Sequence, residues 1–365
     1  MSKLRMGIIF GGKSSEHEVS LQSAKNVIAA LDEDVYEPVL IGIGKDGRWH
    51  LHDAARFLLN AENPKLIALN ESTKPIAVVP SGAEDQKLVP LSGGGAVSLD
   101  VVFPVLHGPF GEDGTVQGLL KLMDVPFVGA DVLGSAVGMD KDAQKRLFRD
   151  AGIRTAKFIA FGKRELPAYG SLVAEIGEPF FVKPANLGSS IGIHKVKREA
   201  DFLAALDDAF RYDTKVLAEE YIRGREIECS VLGNEDPVAS VPGEVIPSHE
   251  FYSYEAKYID EQGAVLEIPA RLAPNLISET QELAVRAFKT LCLEGMARVD
   301  FFLKENGDLL LNEVNTIPGF TNISMYPKLW EASGISYGEL IDRLVRLAIA
   351  RHARDKQLKT IHYQL

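Results

Sequence analysis

The sequence predicts a multidomain protein in which a parallel α/β domain is followed by α+β modules. At 365 residues the chain is too long for one ordinary hydrophobic core, so two or three domains are expected. Strand and helix patterns alternate over roughly residues 1–135, which is typical of a parallel sheet covered by helices. Residues 140–219 read as a small α+β module, and from residue 227 onward strand candidates follow one another, which indicates antiparallel strands.

The elements of the N-terminal domain are predicted from apolar runs separated by turn residues. The stretch 53–98 mixes turns with short segments, and glycines at 93–95 indicate a loop. The predicted strands are 4–10, 38–43 and 99–106, and the predicted helices are 18–31 and 115–123.

The remainder of the chain divides into a small α+β module and a longer antiparallel region. In the small module the predicted helices are 140–151 and 199–210, with strands at 157–161, 179–183 and 215–219 and a short mixed stretch at 164–177. In the longer region the predicted strands are 227–232, 238–246 and 264–268, with helices at 275–292 and 337–352.

Composition excludes several classes of partner. Charged residues make up 25% and apolar residues 46%, as in globular proteins. The net charge of −11 argues against a nucleic-acid surface and against anionic lipid. Cys229 and Cys292 fit no metal or CxxC spacing, which favours a reduced cytosolic interior. With no signal-peptide core and no apolar run near the ~20 residues of a membrane span, we predict a cytoplasmic protein without membrane or nucleic-acid partners.

Two glycine patterns resemble nucleotide motifs but lack the required context. Residues 7–14 match the P-loop pattern GxxxxGK[ST], yet Gly7 lies inside a predicted strand and leaves too short a loop for phosphates. Residues 42–47 match GxGxxG, but no helix is predicted after them to hold a pyrophosphate. We interpret both matches as false.

A predicted hairpin near the C-terminus carries the clearest site. Asn306-Gly307 lies between apolar runs, which is a strong hairpin signal. If this pair is the centre of the turn, Asp300 lies opposite Glu313, with Arg298 opposite Asn315 on the same face. Facing carboxylates destabilise a sheet unless a cation joins them, and oxygen ligands suit Mg²⁺ or Mn²⁺. The alternative is a solvated edge in which Arg298 neutralises Asp300.

A second candidate site is built from lysines and a glycine-serine loop. A predicted strand delivers Lys183, and residues 186–192 follow as a loop whose backbone N–H groups suit an anion. Lys183 and Lys141 would meet phosphate as point charges. The alternatives are an ordinary flexible loop for Lys183 and a solvated helix start for Lys141.

Further candidates lie in loops and links. Glu16 and His107 each follow a predicted parallel strand, so their loops are expected to meet at one sheet edge. The link 219–226 joins two modules, where ligands often bind; its alternative is a plain charged linker. Residues 251–258 are predicted to form a lid over a site, and the alternative is a surface loop. In the loop 316–325, backbone N–H groups near Gly319 and Ser324 could bind an oxyanion, and the alternative is an ordinary Pro-Gly turn.

Taken together, these runs resemble the ATP-grasp enzymes, and within them the D-alanine–D-alanine ligases. The matching runs cover nearly the whole chain: GGKSSEHEVS, HGPFGEDGTVQG, MDK, VKPANLGSSIGI, EYIRGREIE, EAKY, ARVDFF and NEVNTIPGFTNISMYP. The resemblance implies an N-terminal α/β (pre-ATP-grasp) domain followed by a two-part ATP-grasp fold. The implied domains are 1–135 for substrate, 136–220 as a central lid, and 221–365 carrying the metal site.

The resemblance also implies a role for each site residue. ATP would be held by Lys141, Lys183, Ser190, Glu219, Glu220, Ile222, Glu226 and Lys257. Two Mg²⁺ (or Mn²⁺) ions would be held by Asp300, Glu313 and Asn315. Arg298 and the Gly319 N–H would stabilise an oxyanion, which gives Arg298 a role beyond neutralising Asp300. Glu16, linked to Ser189 and Tyr258, would take the first D-alanine, and Ser324 and Met325 the second, with His107 near the substrate.

The implied reaction is ATP-dependent ligation of two D-alanines through an acyl phosphate, for peptidoglycan synthesis, the cell wall and cell shape. Tyr258 favours D-alanine over D-lactate as second substrate, because a Phe there is associated with D-lactate in this family. His194 departs from the small polar residue that related sequences often carry. A D-alanine–D-lactate ligase and a non-catalytic ATP-binding module remain the alternatives. A homodimer is implied by the resemblance alone.

Overall fold

The computed structural model describes residues 3–72, 74–80, 87–247 and 263–358. The predicted lid at 251–258, and with it Lys257 and Tyr258, lies outside these ranges. Within them, three main sheets follow one another along the chain, one mostly parallel and two antiparallel. The predicted combination of α/β and α+β architecture is confirmed.

The first sheet is parallel at its centre. Strands β1 and β2 pair in parallel, as do β1 and β8, whereas β3 adds to the edge of β2 in the antiparallel sense. The elements are β1 (Leu4–Gly11), α1 (His17–Ala29), β2 (Tyr36–Ile43), β3 (Trp49–His52), β8 (Val101–Val105) and α2 (Thr115–Leu122). Because β1 and β8 are parallel neighbours, the loops at their carboxyl ends meet at one edge.

The intervening segment forms two small hairpins. Their strands are β4 (Leu58–Leu59), β5 (Ala68–Leu69), β6 (Ile76–Val78) and β7 (Leu88–Pro90). Both rejected glycine patterns are explained here: Gly7 lies within β1, and a strand rather than a helix follows residues 42–47.

The second sheet is antiparallel, in the order β11-β10-β12-β9, with α5 and α6 supplying much of its apolar core. The elements from α3 onward are α3 (Val132–Met139), α4 (Lys141–Asp150), β9 (Phe158–Gly162), α5 (Tyr169–Ile176), β10 (Phe180–Pro184), β11 (His194–Val196), α6 (Glu199–Ala209) and β12 (Lys215–Glu220).

The third sheet has the order β16-β15-β13-β17-β18, with β14 attached to β13. Its elements are β13 (Arg225–Gly233), β14 (Val238–Ala239), β15 (Gly243–Pro247), β16 (Ala264–Glu267), α7 (Pro274–Thr290), β17 (Gly295–Leu303), β18 (Leu309–Asn315), α8 (Met325–Ala332) and α9 (Tyr337–Asp355). The predicted 238–246 strand is thus two strands separated by a short break.

The predicted hairpin is present, but its turn differs from the prediction. Lys304 and Asp308 pair across the end, which leaves three residues in the loop, with Gly307 at a φ of +86°. The register then shifts between Asp300 and Phe301, leaving Asn312 as an extra residue on β18. This β-bulge restores the predicted pairing of Asp300 with Glu313.

Three helices, α3, α5 and α8, were not predicted. Helix α5 lies in the stretch 164–177 that was predicted only as short and mixed, and the other two each have a physical reason. Helix α3 contains two glycines, which disfavour helix in isolation. A Cβ on Gly138 would lie 2.4 Å from the Thr316 side chain, so glycine permits close packing against the C-terminal region. Helix α8 follows a Pro-Gly turn and has Pro327 in its first turn, where proline is tolerated. The boundary predicted at 135/136 falls inside α3.

The N-terminal sheet and the C-terminal helices share one hydrophobic core. Met6 and Phe10 of β1 belong to the same buried cluster as Tyr326 of α8 and Leu344 of α9. The second sheet has a cluster of its own between its strands and α5 and α6. The N-terminal and C-terminal regions are therefore packed together. No helix in the described ranges is long and apolar enough to span a membrane.

Candidate active site

Two adjoining cavities lie where the three sheets meet. The larger has a volume of about 400 Å³ and lies between the second and third sheets. The smaller, of about 110 Å³, opens onto the N-terminal loops. Their common wall contains Gly188, Ser189, Glu226, Phe302, Asn312 and Glu313. A ligand in one cavity can therefore approach a ligand in the other across this wall.

A buried carboxylate holds two lysines beside the larger cavity. Glu219 of β12 lies 2.6 Å from the Nζ of Lys183 and 2.6 Å from the Nζ of Lys145. All three side chains are almost completely buried. Burial raises the pKa of Glu219, but the two lysines outweigh it and lower that pKa below its ordinary value. Burial lowers the pKa of Lys145. The arrangement fixes Lys183, which lines the cavity.

Two residues of the loop after β10 have a left-handed backbone conformation. Ser189 and Ser190 both have positive φ, at +54° and +60°, which is uncommon for residues with a side chain. Lys141 lies against this loop, with its Nζ donating to the Leu187 carbonyl at 2.8 Å. Lys141, Lys183 and Ser190 all line the larger cavity, so the predicted phosphate residues converge.

The interdomain link forms the far wall of the larger cavity. Glu220, Tyr221 and Ile222 line it, together with Glu226 of β13. Lys195 of β11 lies over the Tyr221 ring, 3.8 Å from its centroid, and this cation–π contact joins the second sheet to the link. A flat ring entering this cavity would meet backbone and side-chain groups of the link.

The hairpin brings carboxylates and cations together. The Arg298 guanidinium donates two hydrogen bonds of 2.8 Å to the Asp300 carboxylate. The same guanidinium forms an ion pair of 2.8 Å with Glu228 on β13. The Asn315 amide donates to Asp300 at 3.0 Å. Arg298 does neutralise Asp300, as the alternative interpretation predicted, but the two side chains are only 19% and 13% exposed, so this is not a solvated edge.

The donor set of this hairpin suits a hard cation. Asp300, Glu313 and Asn315 supply two carboxylates and an amide, and all three line the smaller cavity. Glu313 also lines the larger cavity and pairs with Lys141 at 3.3 Å. No cluster of three or more His, Cys, Asp or Glu side chains suited to a metal occurs among the residues that the structure describes. A metal here would therefore rest on two carboxylates and the amide.

The two N-terminal loops meet, as predicted from the parallel strands. Glu16 is almost fully buried and accepts a hydrogen bond from the Ser189 hydroxyl of the central module. The Ser14 hydroxyl donates to the His107 carbonyl at 2.6 Å, which joins the loop after β1 to the loop after β8. Glu16, Ser189 and His107 all line the smaller cavity.

Glu112 is a further carboxyl at this edge. Burial and the nearby Glu16 raise the pKa of Glu112 to about 8. Its two oxygens accept the backbone N–H groups of Gly108, at 2.7 Å, and Ile317, at 3.1 Å. Glu112 thus joins the N-terminal loop to the loop after β18.

The loop after β18 closes the smaller cavity. Gly319, Ser324 and Met325 line it, and Ser324 precedes the first residue of α8. The Ser324 hydroxyl accepts the Thr321 N–H at 3.0 Å. A Cβ on Gly319 would lie 2.6 Å from this hydroxyl, which explains the glycine. The start of a helix favours negative charge, as a substrate carboxylate would supply.

Comparisons with known proteins agree with this architecture over the whole chain. Residues 5–130 match the family model described as D-ala D-ala ligase N-terminus, and residues 147–346 match D-ala D-ala ligase C-terminus. The chain is 55% identical to a D-alanine--D-alanine ligase of Oceanobacillus iheyensis, over 98% of each chain. It is 51% identical to D-alanine--D-alanine ligase A of Escherichia coli K12, over 99% of this chain and 100% of that relative.

The chain belongs to the D-alanine–D-alanine ligase family. Among solved structures, the ligase from Coxiella burnetii matches with a TM-score of 0.84 and 39% identity, covering 98% of this chain and 97% of its own. The VanG D-Ala:D-Ser ligase from Enterococcus faecalis matches with a TM-score of 0.83 and 36% identity, covering 95% and 100%. The family and fold predicted from the sequence are confirmed.

Within this family fold, every predicted site residue that the structure describes lies at or beside one of the two cavities. Three contributors were not predicted. Lys145 was visible only as one charge in a basic helix, and Glu228 and Asn312 gave no signal of their own. Lys145 pairs with Glu219, Glu228 pairs with Arg298, and the bulge turns Asn312 into the wall between the cavities. Long-range pairing and a bulge are tertiary features that a linear pattern does not contain.

Proposed function

We propose that this chain joins two D-alanine molecules into D-alanyl-D-alanine, with ATP converted to ADP and phosphate. The observation that carries the proposal is the wall shared by the two cavities. A nucleotide-sized cavity with fixed lysines meets a smaller polar cavity suited to amino-acid substrates. The γ-phosphate in one and a substrate carboxylate in the other would then be in reach.

In the first step, the carboxylate of the first D-alanine attacks the γ-phosphate and ADP leaves. Lys141, Lys183 and the backbone around Ser190 neutralise the phosphates. Glu219 serves this step by holding Lys183 in place, since both of its oxygens are paired with lysines. The link receives adenine along Glu220 and Ile222, and Glu226 receives the ribose hydroxyls.

Asp300, Glu313 and Asn315 would hold Mg²⁺ or Mn²⁺, two ions per site. When bound, such ions supply Lewis-acid neutralisation of the phosphate charges. The donor chemistry of these three side chains supports this assignment.

In the second step, the amine of the second D-alanine attacks the acyl-phosphate carbonyl, and phosphate leaves as the amide forms. The Gly319 N–H and Arg298 stabilise the oxyanion. Glu16 binds the ammonium of the first D-alanine, with Ser189 orienting it. Ser324 and Met325, at the positive end of α8, bind the second carboxylate. Closure of the site keeps water from the acyl phosphate.

The proposed setting follows from the chemistry and from the family. ATP as co-substrate supports a cytoplasmic enzyme, and the dipeptide product supports a role in peptidoglycan synthesis. A homodimer is our proposal from the family resemblance, and sedimentation equilibrium tests it. The match to a D-Ala:D-Ser ligase at nearly the same TM-score means that the fold does not distinguish the second substrates.

The test is phosphate release with ATP and Mg²⁺, comparing D-alanine, L-alanine, D-lactate and D-serine. We expect phosphate release when D-alanine is the only amino acid added, and no release when L-alanine is the only one. To test the second subsite, D-lactate or D-serine is added together with D-alanine, and the products are separated by mass. A depsipeptide exceeding the dipeptide at neutral pH would refute the proposed second substrate. No phosphate release under any condition would favour a non-catalytic ATP-binding module.

A further inference from the structure

The loop 317–320, here called the oxyanion loop, is fixed by the N-terminal domain at both ends. It carries Gly319, whose N–H faces the oxyanion in the proposed function. At one end, the Ile317 N–H donates to Glu112 at 3.1 Å. On the same residue, the Ile317 carbonyl accepts from the Nδ1 of His107 at 3.1 Å. Both backbone groups of Ile317 are therefore bound to the loop after β8.

The other end is fixed to helix α1. The Phe320 N–H donates to the Ser23 hydroxyl at 3.2 Å. The Phe320 carbonyl accepts from the Asn26 amide at 2.9 Å and from the Tyr337 hydroxyl at 2.8 Å. The Phe320 ring is fully buried against neighbouring aromatic rings. Ser23 and Asn26 lie one helical turn apart, so one face of α1 supplies both contacts.

The hydrogen bonds at the two ends are connected through one imidazole. Since a carbonyl only accepts, the Nδ1 of His107 carries the proton directed at Ile317. The Nε2 of a neutral ring then accepts from the Ser23 hydroxyl, 3.3 Å away, whose oxygen accepts from Phe320. Burial lowers the pKa of His107 to about 4, which keeps the ring neutral and this order of donors intact.

Only two residues remain between these fixed ends. Pro318 has its φ locked near −65° by its ring, so the Gly319 peptide has little freedom to move. The anchoring side chains are themselves buried, since Ser23 is completely buried and His107 is 5% exposed. The location of the Gly319 N–H therefore depends on residues of the N-terminal domain, together with the Tyr337 contact from α9.

We propose that Ser23, His107 and Glu112 are positioning residues for the amide-forming step, acting by fixing the oxyanion loop. The inference rests on the proposed function, in which Gly319 stabilises the oxyanion of the second step. It assigns to His107 a structural contact with the loop in place of direct substrate binding. It predicts that these residues affect the second step more than phosphoryl transfer.

The experiment compares Ser23→Ala and Glu112→Gln with a matched control, Tyr36→Phe. Tyr36 also donates a hydrogen bond between the N-terminal sheet and the C-terminal helices, to Asp342 at 2.7 Å, but lines neither cavity. Two rates are measured on each full-length protein with D-alanine present. Dipeptide formation reports the whole reaction. Scrambling of ¹⁸O from the β,γ-bridge of ATP reports reversible phosphoryl transfer alone.

We expect each anchor variant to lower kcat for dipeptide by at least about tenfold, because misplacing a catalytic group by about 1 Å has effects up to about a hundredfold. Scrambling and the KM for ATP should stay within about twofold of the unaltered protein. Tyr36→Phe should change neither rate. Thermal melting of each variant checks that the fold is retained.

Four results would overturn the inference. Anchor variants with unchanged dipeptide formation would show that the loop does not depend on them. Scrambling that falls in proportion to dipeptide formation would show a general structural defect, and an equal loss in Tyr36→Phe would show the same. If the unaltered protein forms no dipeptide at all, the proposed function fails and this inference fails with it.

Discussion

Replacing Glu219 by glutamine should strongly destabilise the central module. The carboxylate lies 2.6 Å from each of two lysine ammonium groups, and the side chains of Lys145, Lys183 and Glu219 are 1%, 7% and 4% exposed. Solvent therefore screens these pairs very little. Removing one partner of a buried ion pair costs about 3–5 kcal/mol, because a buried charge is left uncompensated.

That cost corresponds to a factor of roughly 100 to 4,000 in the unfolding equilibrium constant, since about 1.4 kcal/mol is a factor of ten. Glu220→Gln is the matched control, because Glu220 is the next residue of β12 and is only partly buried. Its replacement should cost less than about 1 kcal/mol. Urea unfolding at neutral pH measures both free energies.

The deficit of Glu219→Gln should also depend on pH. Without the carboxylate, burial pushes the pKa of Lys145 further below its ordinary value than it already is. The loss of unfolding free energy in Glu219→Gln is therefore fully present at neutral pH. It shrinks as pH rises toward about 10.4, where lysine in the unfolded chain also loses its proton. A deficit that equals that of Glu220→Gln, or does not change with pH, would refute this electrostatic account.

Three other changes test separate parts of the site. Glu313→Ala should lower phosphate release by more than about 100-fold with an unchanged circular dichroism spectrum, because a metal ligand is lost; near-normal activity would exclude the metal assignment. Gly319→Ala should lower kcat and raise the KM for the second D-alanine, because the added Cβ would displace the Ser324 hydroxyl. The control is Gly118→Ala, which has open space around it and should leave both kinetic constants unchanged. The free energy of unfolding of the unaltered protein should fall as pH drops from about 6.5 to about 4, because only the unfolded chain protonates His107 in that range. His107→Gln should lack this contribution of about 3 kcal/mol. Parallel curves of unfolding free energy against pH for the two proteins would contradict the prediction.

The hairpin shows how far local sequence signals reach. Asn306-Gly307 and the apolar runs predicted two paired strands, and Asp300 does lie opposite Glu313. The turn that produces this register has three residues rather than two, and a bulge at Asn312 compensates. The pairing was predicted correctly although the predicted turn was wrong, because a bulge depends on packing that the sequence pattern does not specify.

Interactions between distant segments account for most of what was missed. Glu112 lies in the run HGPFGEDGTVQG and was given no role, whereas its contact with Ile317 joins residues 205 positions apart. Helix α3 was missed because its glycines lower helix propensity. The reason for Gly138 is its close packing against the Thr316 side chain, which the sequence alone does not reveal. Parallel strands, by contrast, made the meeting of the Glu16 and His107 loops predictable from topology alone.

The stoichiometry of ADP, phosphate and D-alanyl-D-alanine, measured in one reaction with the full-length protein, tests the central claim most directly. The account predicts that the three products form in equal amounts and that all three depend on D-alanine. Equal amounts require the acyl phosphate formed beside Lys183 and Glu313 to pass to the amine rather than to water. ADP and phosphate formed without dipeptide, or at the same rate with L-alanine, would contradict it.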